Sequence, residues 1–179
     1  MKLIILDQTG VINQSSDAFI KTPEEWIPIP GSLDAIARLT HSGYRVVIAT
    51  NQSGIGRGLL DMATYNAIND KMYKAVNQAG GRIDAIFFCP HTNADKCSCR
   101  KPATGLLDEI MQRYGVNLKN APTVGDSLKD LQAAAAVGAI PMLVLTGNGQ
   151  TTRTAKEIPP GTKIFENLAA VADALAGEE

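Results

Sequence analysis

An aspartate stands at the end of an apolar run and just ahead of a glycine, in Asp7-Gln8-Thr9-Gly10-Val11. A carboxylate held by a strand end and presented by a turn can attack phosphorus or hold a metal. It can equally close a turn or cap a helix. A second polar cluster, Thr50-Asn51-Gln52-Ser53-Gly54, follows another apolar run. Its hydroxyl and amide groups, with free backbone N–H groups, suit phosphate oxygens as well as an ordinary polar turn. Gly54, Gly56 and Gly58 then surround Arg57, but their spacing and their place after the second run do not make a dinucleotide fingerprint. In Val124-Gly125-Asp126-Ser127, Asp126 is a hard oxygen ligand of the kind Mg²⁺ takes sparingly. Ser127 and Asp130, three residues apart, have the spacing of a capping box. In Arg100-Lys101-Pro102, Lys101 can neutralise a phosphate and an attacking carboxylate together.

Cys89-Pro90-His91 and Cys97-Ser98-Cys99 gather all three cysteines and one of the two histidines into one short segment. Three thiolates and an imidazole suit tetrahedral Zn²⁺, and a complete set of four protein ligands is the mark of a structural ion. The alternative is a set of unrelated reduced thiols. A zinc loop over 89–99 would pin Arg100 and Lys101 beside the strand-end residues.

These groups need a frame. Short runs apolar on both faces, as in buried parallel strands, fall at Leu3–Leu6, Arg45–Ala49, Ala85–Phe88, Pro122–Val124 and Met142–Leu145, with Lys163–Phe165 as an edge strand. Helical stripes lie between them: Leu33, Ile36 and Ala37; Met62, Tyr65, Ile68 and Met72; Leu106, Leu107 and Ile110; Leu128, Leu131 and Ala134; Leu168, Val171 and Ala172. Gly43, Gly80, Gly115 and Gly138 follow as stop signals. The alternation predicts an α/β protein with a Rossmann-like, doubly wound parallel sheet, helices on both faces and the ligand site at the carboxyl ends of the strands. The stretches 23–30 and 147–161 are expected to be long loops.

The chain's 179 residues, with 45% hydrophobic and 20% charged, predict one soluble domain over 1–179. A net charge of -1 without a basic stripe argues against nucleic acid as a partner. No apolar run is long enough to span a bilayer, and the opening apolar run stops too soon for a signal-peptide core. The expected location is the cytoplasm, where thiols stay reduced.

Taken in order, Asp7, Thr50-Asn51, Lys101-Pro102 and Gly125-Asp126-Ser127 resemble the four motifs of the haloacid-dehalogenase superfamily. With Asn13, the Cys-Pro-His loop and Cys99-Arg100-Lys101-Pro102, the chain resembles the D-glycero-D-manno-heptose 1,7-bisphosphate phosphatases, relatives of histidinol-phosphate phosphatase domains. The resemblance implies no large cap domain, a structural Zn²⁺ on Cys89, His91, Cys97 and Cys99, and a catalytic Mg²⁺ on Asp7, Asp126 and the Thr9 carbonyl. It implies Asp7 as the nucleophile that becomes an aspartyl phosphate, Thr50 and Asn51 as phosphate binders, and Lys101 as charge balance. Arg100 would take the second phosphate of the substrate through its planar fork, with Arg57 a second candidate. The implied setting is a monomer acting on a small phosphorylated sugar in the synthesis of lipopolysaccharide or surface glycans.

One departure bears on chemistry. The family's pattern has a second Asp two residues after the nucleophile, where it protonates the leaving oxygen and then activates water. Here that residue is Thr9, and Gln8 replaces the usual Arg. The loss of general acid–base help, worth about 10²- to 10⁴-fold, predicts slow turnover. The alternatives are a phosphatase for histidinol phosphate or another small ester, and a catalytically impaired phosphosugar-binding homologue.

Overall fold

The computed structural model describes residues 1–177. Six strands, β1 (Lys2–Leu6), β2 (Tyr44–Asn51), β3 (Ala85–Cys89), β4 (Pro122–Gly125), β5 (Ile140–Val144) and β6 (Lys163–Phe165), form one parallel sheet in the order β3-β2-β1-β4-β5-β6. The helices are α1 (Ser32–His41), α2 (Ser53–Gly56), α3 (Met62–Gln78), α4 (Gly105–Tyr114), α5 (Leu128–Ala136), α6 (Gly149–Thr152) and α7 (Leu168–Ala176). The doubly wound sheet expected from the alternation is present, with Lys163–Phe165 at its edge. The stretch 147–161 is not loop throughout, since α6 is a short helical turn within it, and Pro23–Glu25 form a 3₁₀ turn.

Strand β1 shows why the sheet is buried on both faces. Ile4 and Leu6 point into a core built with Ile36, Leu39, Tyr65, Met72 and Val171. Leu3 and Ile5 point the other way, onto Leu106, Leu107, Ile110, Ala133 and Ala134. The period of two along a strand thus meets a helical stripe on each side. Helices α1, α3 and α7 cover one face, and α4 and α5 the other. At about 25 cal/mol per Å² of apolar surface removed from water, each large side chain buried this way contributes roughly 1.5–3 kcal/mol.

The strand order reverses beside β1: β2 lies on one side and β4 on the other. Crossovers leave β1 and β4 on opposite faces, so a crevice opens between their carboxyl ends. Asp7 and Asp126 follow those two ends directly.

Candidate active site

The Asp7 N–H donates to the Val124 carbonyl at 2.9 Å, which fixes the turn after β1 against the end of β4. Gly10 turns the chain with φ +87°, and a Cβ there would collide with the Asp126 carboxylate. Position 10 therefore needs glycine twice over, for its dihedral and for the close approach. Asp7, Asp126 and Asp130 are brought together, each offering an oxygen within 4.8 Å of the others.

Lys101 reaches this group from the far side of the zinc-type loop. Its Nζ is buried and donates to Asp130 Oδ1 at 2.6 Å and to the Ala49 carbonyl at 2.7 Å, and lies 3.6 Å from Asp7 Oδ1. Asn51 holds it there: Asn51 Oδ1 accepts from the Lys101 N–H at 2.9 Å, and Asn51 Nδ2 donates to the Lys101 carbonyl at 3.2 Å. The side-chain amide of Asn51 is thus directed at Lys101, while the buried Thr50 hydroxyl accepts from Gln52 Nε2 at 3.3 Å. Asp130 forms the capping box with Ser127 at the start of α5, and its other oxygen takes the lysine. Thr104 stands at the cap position of α4, where its hydroxyl bonds Asp108 Oδ2 at 3.0 Å instead of a backbone N–H.

Three clustered carboxylates, Asp126 and Asp130 buried and Asp7 half-buried, outnumber the one ammonium. Burial, then repulsion from Asp130, pushes the Asp7 carboxyl well above its ordinary value, against the pull of Lys101. Burial and Asp130 likewise push Asp126 up to about 6. Burial opposes ionisation of Asp130 too, but the Lys101 charge and hydrogen bonds outweigh it and hold that carboxyl low. Burial works against the Lys101 charge, and Asp130 and Asp7 overcome it and raise the amine. Such a pocket fits a hard dication. Asp7 Oδ1 accepts from the Gln8 N–H and Asp126 Oδ2 from the Asn148 N–H, each at 2.9 Å, which orients both carboxylates at the crevice. The Thr9 carbonyl, in the same turn, accepts no hydrogen bond from a described residue.

Several residues that sequence reasoning missed hold this arrangement. Beyond β5, Thr146 Oγ1 donates to the Gly10 carbonyl and Thr152 Oγ1 to the Asp126 carbonyl, both at 2.7 Å. Gly147 packs where a Cβ would strike Asp126. Gln8, in place of the usual Arg, is buried in an amide network: its Nε2 donates to Asn69 Oδ1 at 2.9 Å, and its Oε1 accepts from the Tyr65 hydroxyl at 3.1 Å and from Gln52 Nε2 at 3.3 Å. Asn69 and Tyr65 lie on α3, some sixty residues away along the chain, with only helical spacing to mark them.

The Cys/His segment converges as well. Cys89, His91, Cys97 and Cys99 offer ligand atoms within 4.8 Å of one another. Cys89 and Cys99 come into bonding contact, so a disulfide between them competes with a shared ion. That bond would leave two further groups aimed at the same point: Cys97 Sγ is 3.5 Å from Cys89 Sγ and 3.6 Å from Cys99 Sγ, and His91 Nδ1 is 3.3 Å from Cys99 Sγ. A tetrahedron with bonds of about 2.3 Å has edges of about 3.8 Å, close to these spacings. One tetrahedral ion uses all four groups, and the disulfide only two, so the donor set fits Zn²⁺. Arg100 is tied to this loop through Nη1 and the His91 carbonyl at 3.4 Å. Arg57 lies apart, exposed, with its guanidinium over the Phe19 ring at 5.5 Å.

A family model described as HAD-hydrolase-like matches residues 98–171. The chain is 59% identical, over 99% of both sequences, to a D-glycero-β-D-manno-heptose-1,7-bisphosphate 7-phosphatase of Bordetella bronchiseptica. It is 51% identical to the enzyme of that description from Pseudomonas aeruginosa, over 97% of both. Its fold is similar, with a TM-score of 0.98 over 100% of both chains, to the crystal structure of a D,D-heptose 1,7-bisphosphate phosphatase from B. bronchiseptica complexed with magnesium and phosphate.

Proposed function

This chain belongs to the D-glycero-β-D-manno-heptose-1,7-bisphosphate 7-phosphatases of the haloacid-dehalogenase superfamily, and we propose that it removes the C7 phosphate of that sugar through an aspartyl phosphate on Asp7. The observation that carries the reading is the meeting of Asp7, Asp126 and Lys101 at the strand-order reversal. An Asp7 oxygen attacks phosphorus, the bond from phosphorus to the sugar oxygen breaks, and the oxygen leaves in line. Lys101 faces Asp7 and balances charge that the phosphoryl group brings. Thr50 and backbone N–H groups after β2 bind phosphoryl oxygens, and Asn51 contributes by placing Lys101. Arg100 takes the second phosphate, with Arg57 as the further candidate. Mg²⁺, when bound by Asp7, Asp126 and the Thr9 carbonyl, supplies positive charge that stabilises the transferring group. Zn²⁺ on Cys89, His91, Cys97 and Cys99 is structural and fixes the Arg100-Lys101 segment.

Thr9 limits both half-reactions. The departing sugar oxygen takes its proton from water instead of a carboxylic acid. Water then attacks the aspartyl phosphate without a carboxylate to receive its proton, regenerating Asp7 and releasing inorganic phosphate. The same residue favours a second reading, a homologue that binds the phosphosugar with little turnover. The proposal extends to a single domain over 1–179, acting as a monomer in the cytoplasm. Two apolar cores flanking one sheet support the single domain. No helix among the described residues is long and apolar enough to cross a membrane.

The test is phosphate release from heptose 1,7-bisphosphate with Mg²⁺, for this chain and its Thr9→Asp variant, with histidinol phosphate as the competing substrate. We expect the variant to be faster by about 10²-fold or more. Equal, high rates would sink the role given to Thr9. Inactivity of both proteins on the bisphosphate would sink the substrate.

A further inference from the structure

Two buried polar atoms near the Asp7 turn have no protein partner, Trp26 Nε1 and Asn13 Oδ1. Trp26 is 2% exposed and Asn13 1% exposed. Both residues line one small cavity, together with Gln8, Thr9, Gln52 and Tyr65. The indole N–H can only donate and the amide oxygen can only accept, so the two atoms ask for complementary things of one guest. Two of the neighbouring amide groups are engaged elsewhere. The Gln8 amide is held by Asn69, Tyr65 and Gln52, and Asn13 Nδ2 donates to the Gln14 carbonyl at 3.1 Å. An anion would leave Asn13 Oδ1 without a donor, and an ammonium would leave the indole N–H without an acceptor. A hydroxyl serves both.

The cavity offers about 10 Å³ to the centre of a water-sized body, which is about the room one water needs. We propose that it is a binding site for one ordered water, which accepts from Trp26 Nε1–H and donates to Asn13 Oδ1. Native proteins seldom leave buried donors and acceptors unpaired, and a bridging water is the usual solution where protein groups do not reach. The site lies between two segments that backbone bonds already join, Gln14 N–H to the Ile27 carbonyl at 2.8 Å and Ile29 N–H to the Ile12 carbonyl at 2.9 Å. Asn13 closes the turn that carries Thr9, since its carbonyl accepts from the Gly10 N–H at 2.8 Å and its backbone bridges both Thr9 and Pro28. The water links that turn to Trp26 on the segment leading into α1. The inference stands on the cavity and its two polar atoms, and it holds whatever the protein's substrate is.

The test is a crystal structure of the full chain, with its ions but without sugar, at a resolution that shows ordered solvent. A peak within about 3 Å of both Trp26 Nε1 and Asn13 Oδ1 is the expected result. An empty cavity, or Trp26 Nε1 paired with a protein acceptor, would overturn the proposal. A peak that appears only after soaking with heptose 1,7-bisphosphate would make this a sugar-hydroxyl site and overturn the water assignment. Trp26 is the sole tryptophan, so ¹⁵N-indole labelling gives one resonance in solution. A dipolar contact from that N–H to a long-lived water supports the site, and fast exchange with bulk solvent without such a contact contradicts it.

Discussion

Lys101 is buried among Asp7, Asp126 and Asp130, and its shortest contact is to Asp130 rather than to Asp7. An ammonium in that position holds Asp130 ionised and pulls against the burial that raises Asp7 and Asp126. Removing one partner of a buried pair strands the other, at a cost of about 3–5 kcal/mol. Lys101→Met should therefore destabilise the metal-free protein by roughly that much near neutral pH. Urea denaturation would measure it, and an unchanged midpoint would mean that Asp130 is held by Ser127 alone. Asp7, Thr50-Asn51 and Asp126 were legible in the sequence because each lies at a strand end, and Lys101 through its place in their order. Their mutual support was not. Asn51 was expected on phosphate, and the structure adds that its amide clamps the backbone of a residue fifty positions later. Thr9 is the opposite case: its chemistry is fully stated by its identity, because no packing gives a threonine hydroxyl a useful acid near neutrality.

At the scale of elements, the segment from β5 into α6 stands out as a second support for the site. It was read as a plain loop because its role lies in backbone groups and small residues, which carry no sequence signal. The Asn148 N–H and the Thr152 hydroxyl hold Asp126 at its carboxylate and its carbonyl, and Thr146 holds Gly10. Outer partners of metal ligands typically matter by about 10- to 100-fold in affinity. Thr152→Val should weaken Mg²⁺ binding by about tenfold, read by calorimetric titration of the ion. Undiminished affinity would confine Thr152 to capping its own helical turn. The Cys/His loop is the other such element. The Gln52 N–H donates to the Cys89 carbonyl at 2.8 Å and the Gly56 N–H to the Pro90 carbonyl at 2.9 Å, so the loop braces the turn after β2 as well as Lys101. Cys97→Ser should lower zinc content below one equivalent and reduce the melting temperature. A protein that keeps its melting point without zinc, and gains no free thiols under a chelator, would instead carry the Cys89–Cys99 disulfide.

For the whole molecule, the sheet could be read from apolar runs and glycine stops because strands buried on both faces leave no other pattern. Strand order was a matter of topology, and it places Asp7 and Asp126, 119 positions apart in sequence, at one crevice. That crevice contributes a pH response to the stability of the fold. The Asp126 carboxyl is raised from 3.8 to about 6 without an ion, so between those values the folded chain binds a proton that the unfolded chain has released. Stability from this group is present at low pH and is lost as pH rises through about 6. Asp7, raised by the same burial, adds to the trend. Mg²⁺ competes with these protons, so it binds the ionised pocket and restores what deprotonation removes. Without Mg²⁺, melting temperature should fall between pH 5 and pH 7.5 once the rest of the titration is matched with an Asp126→Asn control. With Mg²⁺ at about 100 times its dissociation constant, stability near pH 7.5 should rise by about 2.7 kcal/mol, or roughly 5–11 °C for a chain of this size. The gain should shrink toward pH 5, where protons hold the ligand oxygens. Calorimetric melts at both pH values, with and without the ion, measure it, and a gain that does not depend on pH would place Mg²⁺ away from Asp126.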